Sequence, residues 1–148
     1  MTDTPEQPDE LAGSADPERV PADRPKPGSD DAKARDLAVQ IAQLLDDFDC
    51  TDVLVFDLRG VSPITSYIVI ASGTSDRQIK ALGARATDLA QSLGVERYGS
   101  DTDQTTRWVV LDFVDVMVHL FEPETRSLYD LEMLWGDAPN VDWQRDGK

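Results

Sequence analysis

Residues 108–135 read WVVLDFVDVMVHLFEPETRSLYDLEMLW, and this stretch decides the fold. Two apolar runs, Trp108–Phe113 and Val116–Phe121, flank an acidic turn bracketed by Asp112 and Asp115. Apolar segments of this length on either side of turn residues predict a β-hairpin. Pro123 then opens a short helical segment, because proline suits the first helical position. Nothing in the stretch pairs a nucleophile with a base. His119 is the chain's only histidine, it alternates with Met117 and Phe121 on one strand face, and in that setting it reads first as a hydrogen-bonded structural residue.

Upstream, the periodicity switches between helix and strand. Leu37, Ile41, Leu44, Leu45 and Phe48 share one helical face, with Asp30 or Asp31 as the cap. Val53–Leu58 predicts a strand ending near Gly60, and Ser62-Pro63 breaks the chain. Tyr67–Ala71 is apolar throughout, which predicts a strand covered on both faces. Ser75 and Gln78 fit a capping box for a second helix. Ile79, Leu82, Ala86, Leu89 and Leu93 form the stripe of that helix, and Gly94 ends it. Val95–Tyr98 has the character of a short strand. The order α-β-β-α-(β)-β-β-α predicts one α/β domain with a mixed β-sheet flanked by helices.

That domain is expected to occupy residues 32–136. Residues 1–31 carry six of the nine prolines and nine acids, with few large apolar side chains, so they are expected to form a disordered acidic, proline-rich extension. Residues 137–148 are expected to be a loose polar tail, with Trp143 a candidate to dock on the body.

Composition narrows the function. With 29 acids against 14 bases the net charge is −15, and a direct grip on nucleic-acid phosphates, which needs clustered lysine and arginine, is not expected. A basic protein partner is the natural complement. Cys50 is the sole cysteine, so neither a disulfide framework nor a thiol metal cluster is expected. No cofactor or metal is implied. The N-terminus shows no secretory pattern and the apolar runs fall short of the ~20 residues of a membrane span, so a cytoplasmic location and no membrane contact are expected.

Gly73-Thr74-Ser75 lies between a strand and a helix N-terminus, where backbone N–H groups can receive an anion. A nucleotidyltransferase-like, nucleotide-binding enzyme is one reading of it. That chemistry needs paired carboxylates on the next strand to hold Mg²⁺. The first Asp-x-Asp is Asp101-Thr102-Asp103, distant and in a stretch that reads as loop. A tight turn with a helix cap is the simpler account.

The chain resembles the ribosomal silencing factor family, also called Iojap-related proteins, from about Leu37 to Trp135. The resemblance rests on the strand, Gly-Thr-Ser and helix of Tyr67–Gln78, on Trp108–Asp112, on Asp115–Phe121 and on the ending Tyr129–Trp135. There are departures. Ser66 stands where the family usually has aspartate, Tyr98-Gly99 where it commonly has Glu-Gly, and Val114 where its hairpin turn usually has glycine. A β-branched residue resists positive φ, so this turn is expected to differ locally or carry strain.

The resemblance implies a non-enzymatic translation repressor. It would bind large-subunit ribosomal protein fourteen at the intersubunit face and hinder joining of the small subunit. On that reading Trp108 and Phe113 are expected as apolar anchors, Asp112 and Asp115 as partners of basic side chains, and His119 as a polar contact or support. A weak homodimer of the free protein is compatible with it. A generic acidic adaptor for another basic protein fits the composition equally well.

Overall fold

A computed structural model describes residues 26–28, 30–102, 108–122, 124 and 138–144 of the 148-residue chain. Its elements in order are α1 (Asp31–Asp47), β1 (Thr51–Asp57), β2 (Tyr67–Ser72), α2 (Asp76–Ser92), β3 (Gly99–Thr102), β4 (Trp108–Asp112) and β5 (Val116–Phe121). The strands form one five-stranded sheet in the order β1-β2-β5-β4-β3. Only β2 and β5 pair in parallel; the other neighbours are antiparallel. The expected mixed α/β sheet is therefore present. Of the helical segment expected from Pro123, only Glu124 is among the described residues, and it is helical.

Side-chain alternation sends each strand to two cores. Tyr67, Val69 and Ala71 of β2 and Val116, Val118 and Leu120 of β5 face α1 and α2, whose Leu37, Ile41, Leu45, Ile79, Leu82 and Ala86 cover them. The intervening Ile68, Ile70, Met117 and Phe121 join Phe56, Trp108 and Val110 in a second cluster on the opposite face. All six residues of β2 and of β5 are buried, as an uninterrupted apolar run requires.

The helix ends show local chemistry at work. Asp30, rather than Asp31, caps α1, its carboxylate accepting from the Lys33 N–H at 3.0 Å. Ser75 caps α2 by accepting from Gln78 N–H at 3.1 Å. The return arm differs from a capping box, because the Gln78 side-chain oxygen accepts from the N–H and hydroxyl of Thr74 instead. Its amide nitrogen donates to the Phe48 carbonyl at 2.8 Å, tying the start of α2 to the end of α1.

Both helices end in the same paired bonds. Val95 N–H reaches back to the Ala90 carbonyl at 2.8 Å and Gly94 N–H to Gln91 at 3.0 Å, with Gly94 at φ +82°. The end of α1 repeats this with Cys50 bonding Leu45 and Asp49 bonding Asp46, but the left-handed position is Asp49, at φ +74°.

Four sequence expectations need correction. The strand expected at Val95–Tyr98 lies instead at Gly99–Thr102, because Val95 is spent on the α2 cap and Tyr98 N–H only begins the ladder at the Asp112 carbonyl. Asp101 of the Asp-x-Asp thus lies in a strand, not a loop. β1 starts at Thr51, before the expected Val53, through a bulge between Thr51 and Leu54 where Asp52 takes φ +52°. Phe48, placed on the buried face of α1 by periodicity, is 39 % exposed at the helix end, with the Arg85 guanidinium 4.5 Å above its ring.

The fourth correction concerns the tail. Residues 138–144 are not loose: Ala138 and Val141 are buried, Asn140 bridges to Phe56, and Val141 N–H donates to the Val55 carbonyl at 2.8 Å. Trp143 docks as anticipated, its indole donating to the Val53 carbonyl at 3.1 Å while Gln43 donates to the Trp143 carbonyl at 3.0 Å. Trp143→Ala removes that bond and part of the packing over α1 and β1. It should lower unfolding free energy by about 1–2 kcal/mol in chemical denaturation.

Candidate functional site

The β4–β5 hairpin turn gathers the acidic candidates. Asp112 closes β4, its carboxylate accepting from the Val114 N–H at 2.8 Å. Phe113 N–H donates to the Val116 carbonyl at 2.9 Å and Asp115 N–H to the Phe113 carbonyl at 2.8 Å. The second of these spans only three residues and forces Val114 to φ +71°, the rarer form of a γ-turn. The left-handed region brings Cβ against the following carbonyl, at roughly 1–2 kcal/mol for a side-chain-bearing residue. The strain expected from valine at this position is thus present.

Asp115 is the hub of the turn. Its carbonyl accepts from both Ser66 and Tyr67, which fixes the turn against the entry to β2. Its carboxylate accepts from Gly28 N–H at 2.6 Å, drawing the segment before α1 onto the turn. Asp112 and Asp115 are both half-buried, so each keeps a face toward solvent.

The apolar candidates sit elsewhere. Trp108 and Phe113 are each 2 % exposed and His119 is fully buried. Alternation along β4 puts Trp108 on the face away from the helices, 4.7 Å from the Phe121 ring, whereas Phe113 packs in the helix-side core. Both residues expected as apolar anchors are therefore buried in the two cores. Trp108 Nε1 donates to His119 Nδ1 at 3.0 Å. With Nδ1 accepting, a neutral imidazole carries its proton on Nε2. Burial pushes the His119 pKa down to about 3. Of the five candidates, the structure brings Asp112, Phe113 and Asp115 together at the turn, and Trp108 and His119 as a bonded pair along the strands.

A cleft of about 240 Å³ opens beside the turn, between the start of α1 and the loop after α2. Its apolar lining comes from Ala34, Leu37, Val95 and Phe113, and its polar lining from Asp30, Lys33, Glu96 and Asp115. Sequence reading missed this feature, since its walls come from three separate segments.

The phosphate-cradle reading of Gly73–Ser75 meets a physical obstacle. Gly73 N–H is committed to the Phe121 carbonyl at 2.7 Å, and Thr74 N–H to the Gln78 side chain. Glycine is needed at position 73 because a Cβ there would collide with Ile79 and Gln78. Close packing and a helix cap account for this segment.

Two outcomes follow from this geometry. Val114→Gly relieves the left-handed strain, partly offset by the greater backbone entropy of glycine in the unfolded chain, and should stabilise the protein by about 1 kcal/mol; a denaturant midpoint shift gives the reading. For His119, the unfolded chain takes up a proton below its ordinary value of 6.5 while the folded protein does so only near 3. The stabilising effect of the neutral ring is complete above 6.5 and is lost as pH falls toward 3, at about 1.4 kcal/mol per pH unit for one full proton. In His119→Gln, which keeps an acceptor for Trp108, the acid limb of stability against pH should be shallower by that one proton.

Comparison with known proteins places this architecture. Residues 31–148 match the family described as ribosomal silencing factor during starvation. The ribosomal silencing factor of Bacillus subtilis is 39 % identical over 101 residues, spanning 68 % of this chain and 86 % of that protein. The chloroplastic Iojap protein of Arabidopsis thaliana is 34 % identical over 116 residues, 76 % of this chain and 47 % of that one. A crystal structure from Chromobacterium violaceum superposes with a TM-score of 0.63 at 30 % identity, covering 71 % of this chain and 85 % of that one. This chain belongs to the ribosomal silencing factor family.

Proposed function

We propose that this protein represses translation by occupancy. It docks on the large ribosomal subunit through its protein fourteen at the intersubunit face, and its bulk then blocks association of the small subunit. The observation that carries this reading is the family match over residues 31–148, which takes in the whole described domain. Charge supports the choice of surface: at −15 the chain is repelled by ribosomal RNA and attracted to a basic ribosomal protein. A body of about 100 residues has a radius of gyration near 13 Å, ample to obstruct a close-fitting interface. No bond need be made or broken, so the action is that of a regulator in the cytoplasm rather than of an enzyme. A weak homodimer of the free protein is compatible with this reading.

Docking uses the tip of the hairpin. Asp112 and Asp115 meet basic side chains there, while Trp108, Phe113 and His119 act from beneath by holding the two strands in register. Mixing purified subunits with this protein should reduce monosomes in a sedimentation profile; undiminished monosomes at saturating protein refute the mechanism. The Asp112→Asn, Asp115→Asn double variant keeps side-chain acceptors for the turn but removes two charges. It should bind large subunits several-fold more weakly at low salt and with a shallower salt dependence. Unaltered binding would remove these acids from the interface.

A further inference from the structure

The cleft beside the hairpin turn is not explained by the packing of the domain. Its polar lining holds three acids, Asp30, Glu96 and Asp115, against one base, Lys33. Asp30 and Glu96 are exposed and Asp115 half-buried, whereas Ala34, Leu37 and Phe113 are buried, so the charges form a rim over an apolar floor. At about 240 Å³ the space falls below the roughly 300–1,000 Å³ of pockets built for cofactors and small molecules. It suits one long side chain.

We infer that this cleft is a socket for a single cationic side chain, an arginine, projecting from a basic polypeptide segment of the docking partner. The inference rests on the proposed function and deepens it. An arginine matches both halves of the lining, its methylene stem lying on Leu37 and Phe113 while its guanidinium meets the rim carboxylates. Asp30 accepts one backbone N–H, from Lys33, yet an ionised carboxylate offers about four acceptor positions, so Asp30 can accept further bonds beside the exposed Glu96. Arginine is favoured over lysine because its guanidinium is less strongly hydrated and forms paired bonds with carboxylates.

The cleft already tolerates one cation. The Lys33 ammonium lies 3.5 Å from where a side chain on Gly94 would begin. Gly94 therefore leaves room at the wall while its left-handed backbone, at φ +82°, ends α2. Asp115 joins the socket to the hairpin tip, so a partner segment engaging the turn has the cleft within reach of its next side chain.

The test is an amide NMR titration of the full chain with the peptide acetyl-Gly-Arg-Gly-amide and its neutral citrulline counterpart. The arginine peptide should shift the amides of Gly94, Glu96 and Phe113 saturably, and the citrulline peptide should not. The Asp30→Asn, Glu96→Gln variant keeps the α1 cap, since asparagine caps as well as aspartate. It should melt as the parent does yet bind the arginine peptide at least about fivefold more weakly. Equal shifts from both peptides, shifts centred elsewhere, or an unaffected variant would overturn the socket. Pelleting with large subunits separates the two claims. If the parent pellets and the variant pellets equally well, the socket is refuted and the proposed function stands. If the parent fails to pellet, the proposed function falls and the peptide titration alone decides the socket.

Discussion

The parallel pairing of β2 with β5 is the constraint on which the rest of this structure depends. Tyr67 to Ser72 lies in register with Val116 to Phe121, and every residue of both strands is buried. A strand pair that is apolar on both sides must be covered on both sides. α1 and α2 supply one cover, and the second cluster around Trp108, Phe121 and Phe56 occupies the other. Parallel strands also need a long connection, and here it contains α2, β3 and β4. The hairpin turn then has to reverse the chain directly beside the entry to β2. That is why Asp115 serves two neighbours at once, its carbonyl accepting from Ser66 and Tyr67 as β5 begins.

The turn shows what that crowding costs. Only three residues separate β4 from β5, and the middle one is held in a backbone region that suits glycine. Bonds from Asp112 and Phe113 keep Val114 there. The Asp112 carboxylate is held by the Val114 N–H and that of Asp115 by the Gly28 N–H, so the two are presented in a fixed relation. Rigid presentation favours charge pairing with a partner, since little ordering entropy is then lost on contact. The same turn contributes Phe113 and Asp115 to the lining of the adjacent cleft.

Much of the fold was legible in sequence because periodicity reports burial. The apolar run at Tyr67–Ala71 and the two runs around Asp112 to Asp115 gave the central strands, and serine or aspartate before each helix gave the caps. β3 was not legible, since Gly99, Ser100 and Asp101 have little strand propensity and the segment becomes a strand only by pairing with β4. Nor was the end of α1, where an aspartate takes the left-handed position usually held by glycine. The site was less legible than the fold. In a sheet covered on both faces, alternation cannot separate a core tryptophan from a contact tryptophan, so Trp108 could be placed on a strand but not assigned an exposure. The cleft depends on three segments distant in sequence, and no local pattern announces such a meeting.

The docking of residues 138–144 along β1 reaches beyond the packing of Trp143. The outer N–H and C=O groups of a terminal strand are a ready template for a neighbouring molecule, and unblunted edges invite aggregation. Here Asp57 and Val55 are already bonded to Pro139 and Val141 of the same chain. This chain seals one flank of its own sheet, and an insoluble, self-templating pile-up from that flank would first have to peel the closing segment away.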